Sequence, residues 1–237
     1  MSWLDLPRVP EPEVMDDSDE VDAYSSAAAQ AYLDGIDNTF VEHALRLVRG
    51  RTSGRALDIG TGPGQIVLKL ARRLTAWQLV GVDRSPNMIR QARSGLASVE
   101  DRVQFFVADG NRLPFANAGF DLVMCNSVLH HLADPRRLLA EVARLVKPDS
   151  AILIRDLRRP GRLANPLHVR WYGRHYSGQM YKLYCASVHS AYNVRELDQM
   201  LRASPLAGAH PEPAAAGRGA RVFTHERTHL GLERPIA

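Results

Sequence analysis

Residues 55–64 read Arg-Ala-Leu-Asp-Ile-Gly-Thr-Gly-Pro-Gly, and this stretch decides the fold. A short apolar run ends at Gly60, and Gly62 and Gly64 follow. Residues 65–74 then carry Ile66, Val67, Leu70 and Leu74 at helical spacing. The order describes a buried strand that turns sharply into a helix, with glycines where the backbone must bend and a ligand must come close. In a doubly wound sheet such a turn lies at the carboxyl ends of the strands, where ligands bind.

The same alternation continues on either side. Apolar runs at 78–83, 103–109, 120–126 and 151–156 read as further strands buried on both faces. A helix is expected over 86–96, with Ser85 as its N-cap and Pro86 at the first helical position. Another is expected over 135–146, with Asp134 as N-cap and Lys147-Pro148 as the stop. Upstream, helices are expected over 21–34 and again to residue 48 from 38 or 39, the second burying Phe40, Val41, Ala44, Leu45 and Val48. Downstream, Asn193 caps a helix over 194–203, and 221–228 alternates as a last, antiparallel strand. The pattern predicts an α/β fold, a Rossmann-like sheet with helices on both faces and a helical cap. It divides into an N-terminal arm and lid helix (1–37), a cofactor-binding core (38–160), and a cap with C-terminal strands (161–237) that complete the same domain.

The chain has 237 residues and a net charge of +4, unevenly placed. Acidic residues crowd 11–22, and arginines recur at Arg155, Arg158, Arg159, Arg162, Arg170 and Arg174. Solvated helix faces account for the arginines better than a nucleic-acid surface does. Cys125 and Cys185 make no disulfide framework, and no Cys–His pair has metal spacing, so no metal is expected. With no signal-peptide pattern and no window approaching a membrane span, a reduced, cytoplasmic protein is the expectation.

Three acids follow three strands. Asp58 precedes Gly60 by two positions, and Gln65 stands where a dinucleotide fingerprint would put its third glycine. Phosphates would be repelled by that carboxylate, whereas a cationic ligand would not; opposite charges ~4 Å apart gain roughly 4 kcal/mol at an effective dielectric near 20, before desolvation. Asp83 ends its strand about 20 residues past the turn, the place for a carboxylate that accepts both ribose hydroxyls. Asp109 ends the next, suited to an adenine amino group, with the Gly110 N–H beside it; its plainer reading is a turn aspartate.

In order, Asp-Ile-Gly-Thr-Gly-Pro-Gly (58–64), Gly-Val-Asp-Arg-Ser (81–85), Ala-Asp-Gly (108–110) and Phe-Asp-Leu-Val-Met-Cys-Asn-Ser-Val-Leu-His-His-Leu-Ala-Asp-Pro (120–135) resemble the motifs of class I S-adenosylmethionine-dependent methyltransferases. The resemblance covers about residues 40–160. It implies a seven-stranded mixed sheet with the last strand antiparallel, and S-adenosyl-L-methionine as cofactor. It implies that Asp58, Gly60 and Gly62 hold the methionine part, Asp83 the ribose, and Asp109 with Gly110 the adenine. Met88 would pack on the adenine, Arg84 would lie beside the ribose acid, Asn126 would lie near the methionine part, and Tyr24 would reach the cofactor carboxylate.

Methyl transfer from a sulfonium is an in-line displacement in which the protein mainly positions its partners. His130 is the candidate base, and His131 and Arg155 are candidate acceptor contacts at the rim. Trp171, Tyr172, Tyr176, Tyr181 and Tyr184 are either pocket wall or core. The expected partner is a small-molecule methyl acceptor; Asn-Pro-Pro-Tyr is absent after the fourth strand, which argues against nucleic-acid bases. The competing readings are an RNA or protein methyltransferase and a catalytically silent cofactor-binding partner subunit. The oligomeric state and the acceptor atom are not legible.

Overall fold

The order of the strands in space reverses at the centre of the sheet, and that reversal positions everything functional. A computed structural model describes residues 3–11, 27–96, 99–208, 219–225 and 227–236. The strands are β1 (Gly54–Ile59), β2 (Trp77–Asp83), β3 (Val103–Val107), β4 (Phe120–Asn126), β5 (Val146–Leu157), β6 (Arg221–His225) and β7 (His229–Arg234). They form one seven-stranded sheet in the order β3-β2-β1-β4-β5-β7-β6. β1 to β5 pair in parallel, and β7 runs antiparallel to both β5 and β6. Between β1 and β4 the winding changes direction, which opens a crevice at their carboxyl ends.

The helices are α1 (Ala27–Leu47), α2 (Gln65–Arg73), α3 (Pro86–Ser94), α4 (Arg136–Leu145), α5 (Asn165–Tyr172), α6 (Gly178–Ser190) and α7 (Val194–Arg202). Successive strand residues face opposite ways, so the sheet has two apolar faces. On one, Ala56, Leu79, Leu122, Met124 and Leu153 meet Phe40, Ala44, Val67, Leu70 and Ile89 from α1, α2 and α3. On the other, Leu57, Val80, Val123, Ile152 and Ile154 meet Leu138, Leu139, Val142, Leu197 and Leu201 from α4 and α7.

The caps behave as the side chains dictate. Ser85 Oγ accepts the Met88 N–H at 3.3 Å. Asn193 and Glu196 form a reciprocal capping box at the start of α7. At α4 the cap position is Pro135 rather than Asp134, but the Asp134 carboxylate still accepts the Arg136 N–H at 3.1 Å.

Two expectations are corrected. The two upstream helices are one: α1 runs unbroken through Gly35 and Asp37 to Leu47. A mid-helix glycine costs about 1 kcal/mol against alanine, and tertiary contacts outweigh it here. Lys69 on α2 pairs with Asp34 at 2.6 Å, and Arg155 on β5 donates to the Ile36 carbonyl at 3.0 Å. The single C-terminal strand is a hairpin whose second strand, β7, sits inside the sheet. Its sequence, His-Leu-Gly-Leu-Glu-Arg, looks too polar for that place. Glu233 is buried with two partners, a hydrogen bond with the His43 ring on α1 at 2.6 Å and the Arg221 guanidinium on β6 at 2.8 Å. A side chain at Gly231 would strike the Ile154 carbonyl on β5 at 1.9 Å, so only glycine lets the strands close there.

Candidate active site

The carboxyl ends of β1, β2 and β4 open onto a cavity of about 610 Å³, a size suited to small molecules. The glycine turn forms one wall. Gly60 holds φ +74°, and a Cβ there would meet Val128 at 2.2 Å. Gly62 holds φ +53°, but a Cβ there would meet nothing within 4 Å: the turn leaves open space on its cavity side.

Asp83 lines the cavity and braces the turn. One carboxylate oxygen accepts the Gly62 N–H at 2.8 Å, the other the Ser85 N–H at 2.9 Å. Arg84 and Met88 line the same wall. Asp109 and Gly110 line it too, with Asp109 accepting the Asn111 N–H at 2.9 Å and its side-chain amide at 3.0 Å. The aspartate turn and a place on the cavity wall therefore coexist. Asn126, also on the wall, accepts from Arg155 Nε at 3.0 Å. Tyr24 lies outside the described residues.

Asp58 departs from its expected place. It is buried beneath the turn and does not form part of the cavity wall. Among the described residues, no donor reaches hydrogen-bond geometry with either of its oxygens. Burial pushes its carboxyl up to about 7, the nearby Thr61 hydroxyl opposing and the charges of Asp37 and Asp83 adding. Asp37, which lines the cavity, was hidden in the sequence by the apparent break between two helices. Burial raises it to about 6, against the opposing charges of Lys69 and Arg155 and with help from Asp34. Asp37 and Asp83 thus line one end of the cavity with Asp58 buried beneath it, and Asp37 and Asp58 carry an electrostatic penalty that a cation would relieve.

Arg155 is a correction. Expected at the rim to meet an acceptor, it is buried and absent from the cavity wall. Its guanidinium binds Asn126, the Thr39 hydroxyl (2.7 Å) and the Ile36 carbonyl, and lies 4.8 Å over the Phe40 ring. It clamps α1 to the sheet. Arg159 is likewise buried, holding the Leu6 carbonyl at 2.9 Å and Glu196 at 2.5 Å. The basic stretch is therefore partly internal scaffolding.

At the other end of the cavity, His130 and His131 stand side by side, ring centroids 4.2 Å apart. Asp156, fully buried at the end of β5, accepts from His130 Nδ1 at 2.5 Å and from the His130 N–H at 3.1 Å. Burial works to lower the His130 pKa, but the charge and hydrogen bond of Asp156 and the charge of Glu11 outweigh it, and the shift is upward. Glu11 was not foreseen: its Oε1 lies 3.3 Å from His130 Nε2 and 3.1 Å from His131 Nδ1. Arg8 holds it there, donating to the His130 and Leu132 carbonyls at 2.9 Å and to the Ser190 carbonyl at 2.6 Å. An arm rich in proline and acid gave no local sign of this, because its partners lie far away along the chain.

Tyr172, Tyr176 and Tyr184 line the cavity, while Trp171 (62% exposed) and Tyr181 (37% exposed) do not. The β6–β7 hairpin adds His225, Thr228 and His229. Burial, with the Arg155 charge, drops His229 to about 3, so it is a neutral ring. Cys125 is buried and its thiol is pushed well up, chiefly by burial; it is no nucleophile.

Residues 57–154 match the methyltransferase domain family. Over that matched core, and in fold, the chain is similar to S-adenosylmethionine-dependent methyltransferases. Over 133 residues it is 32% identical to an uncharacterized methyltransferase, YcgJ, of Bacillus subtilis, covering 51% of this chain and 52% of that protein. Over 144 residues it is 31% identical to the ubiquinone/menaquinone biosynthesis C-methyltransferase UbiE of Syntrophotalea carbinolica, covering 60% of each. The chain thus spans a little over half the length of these curated relatives. In fold it is similar to an S-adenosylmethionine-dependent methyltransferase from Aquifex aeolicus (TM-score 0.63, 16% identity, 94% of this chain and 100% of that one). It is also similar to the plantazolicin methyltransferase BpumL (TM-score 0.63, 17% identity, 93% and 92%). No helix among the described residues is long and apolar enough to cross a membrane.

Proposed function

We propose that this protein transfers a methyl group from S-adenosyl-L-methionine to a small-molecule acceptor in the cytoplasm. The observation that carries the reading is the electrostatic polarity of one cavity. Asp58 and Asp37, both raised by burial, gather with Asp83 around the glycine turn, where a cation is wanted.

The residues present fit the cofactor. Asp83 places a carboxylate on the cavity wall where a diol would lie, Gly62 carries no side chain on the turn, and Met88 supplies an apolar wall shared with Asp109 and Gly110. Asp37 and the buried Asp58 provide negative potential for an ammonium and a sulfonium, and Asn126 stands between the two ends of the cavity. The cofactor supplies a methyl group already activated on sulfur; the chain's work is alignment and exclusion of water. The arm (residues 3–11), the cap helices α5 and α6, and the β6–β7 hairpin serve as the cover over the acceptor.

His130 holds both nitrogens toward carboxylates, Nδ1 to Asp156 and Nε2 to Glu11. A direct base role would require Nε2 to part from Glu11. We assign acceptor activation to the cluster of Glu11, His130 and His131 as a unit. A quinone-like acceptor is one candidate class, since several relatives are quinone-pathway C-methyltransferases by name. The internal roles of Arg155 and Arg159 count against an RNA-binding reading.

The test is calorimetric binding of S-adenosyl-L-methionine followed by incubation of metabolite pools with the methyl-labelled compound. Binding and a labelled small product are expected. Binding without any labelled product in metabolite, RNA or protein fractions would favour a silent subunit, and no binding at all would end the proposal.

A further inference from the structure

We propose that Glu11, His130 and His131 form a site for one divalent transition-metal ion, zinc or a first-row neighbour, at the acceptor end of the cavity. Local sequence spacing concealed it, because Glu11 reaches the histidine pair only through the fold.

The first argument is convergence. His130 Nε2, His131 Nδ1 and a Glu11 oxygen all lie within 4.8 Å of one another, with His130 buried and the other two half-buried. Zinc binds imidazole nitrogen and carboxylate oxygen at about 2.0–2.2 Å, so two donors on one tetrahedral ion stand roughly 3.3 Å apart. The separations from Glu11 Oε1 are 3.3 and 3.1 Å, close to that spacing. The neighbouring His130–Asp156 contact, at 2.5 Å, shows what a close proton-sharing pair looks like in this same ring.

The second argument is orientation. Asp156 holds His130 Nδ1, which turns Nε2 toward Glu11 and His131; a metal ion would displace the proton carried by Nε2. A carboxylate behind a ligating histidine fixes the tautomer and ring and raises ligand basicity. The Ser187 hydroxyl donates to both Glu11 oxygens, at 3.2 and 3.4 Å, and Arg8 ties the arm to the carbonyls around the histidines. Two imidazoles and one carboxylate suit zinc, iron, cobalt or manganese rather than calcium. His130 and His131 also line the cavity, so the remaining coordination positions face the acceptor. An ion there acts as a Lewis acid, lowering the pKa of an acceptor oxygen that enters the open position. That last step rests on the methyl-transfer reading; the metal site does not.

The test uses the full chain purified without a polyhistidine tag, stripped with chelator and titrated with Zn²⁺ and Co²⁺, with metal content measured by mass spectrometry. About one ion per chain is expected, with a Co²⁺ visible spectrum of a low-coordinate site. His131→Ala and Glu11→Gln should each weaken uptake at least about tenfold, and Asp156→Asn by about 10–100-fold. Absence of saturable uptake by the wild-type chain would overturn the proposal, as would uptake unchanged in both Glu11→Gln and His131→Ala. Calorimetry of S-adenosylhomocysteine on the stripped wild-type chain reads the cofactor end separately. Binding there without metal uptake sinks only the metal site, and metal uptake without that binding sinks only the methyltransferase reading.

Discussion

Asp58 on β1 and Asp156 on β5 are both buried aspartates near the carboxyl edge of one sheet, yet their surroundings are opposite. Asp156 is met by His130 twice and by the Leu157 N–H, and its carboxyl is held below the usual range despite the burial that opposes this. Asp58 has no donor within hydrogen-bond geometry among the described residues, and its carboxyl rises to about 7. Among the described residues, the fold satisfies one acid internally and leaves the other without a hydrogen-bond donor. A buried charge left unpaired is costly, and the proposed cationic ligand would offset that cost.

Removing each acid should therefore have opposite consequences. Asp156→Ala strips a buried partner from His130 and should destabilise the chain by about 3–5 kcal/mol in denaturant titrations; a loss well under 1 kcal/mol would erase the contrast. Asp83→Ala, which removes hydrogen bonds rather than a core pair, should weaken S-adenosyl-L-methionine binding by roughly ten- to hundredfold in calorimetry. Unchanged affinity would remove the ribose assignment. His130→Ala should lower turnover by about a hundredfold while cofactor affinity holds; a matched fall in both would make it a structural residue only.

The smallest effect is a gain. The folded pKa of Asp58 lies above its unfolded value, so its contribution to stability is full below about pH 4 and is lost as pH rises through about 7. Asp58→Asn should accordingly stabilise the ligand-free chain at pH 8 by about 1–2 kcal/mol, the gain shrinking toward pH 5. Destabilisation at pH 8 would show that the carboxylate is satisfied in some other way.

What the sequence disclosed follows the same division. The glycine turn, Asp83, Asp109 and Asn126 were legible because each follows directly on its own strand, and strand order alone carries them to one edge. The N-cap Ser85 and the Asn193 capping box were legible for the same local reason. Glu11, Arg8 and Asp37 were not: their importance comes from contacts with residues distant in the chain. Arg155 was misplaced because a strand-end arginine looks exposed until a helix with open acceptors at Ile36 and Thr39 is laid over it. The range of β7 and its place inside the sheet were not readable locally, because Glu233 is held there by His43 and Arg221, which no local reading can supply.

The most direct measurement is the affinity of the full chain for S-adenosyl-L-methionine as a function of pH, with Asp58→Asn alongside. A cationic ligand drawn to Asp58 and Asp37 in their charged forms should bind well at pH 8 and weaken as pH falls below about 7, approaching tenfold per unit if one carboxylate dominates. The Asp58→Asn chain should bind more weakly at pH 8 and show a shallower slope. Wild-type affinity that stays flat from pH 8 to pH 5.5, or that strengthens on acidification, would contradict the claim that these acids await a cation.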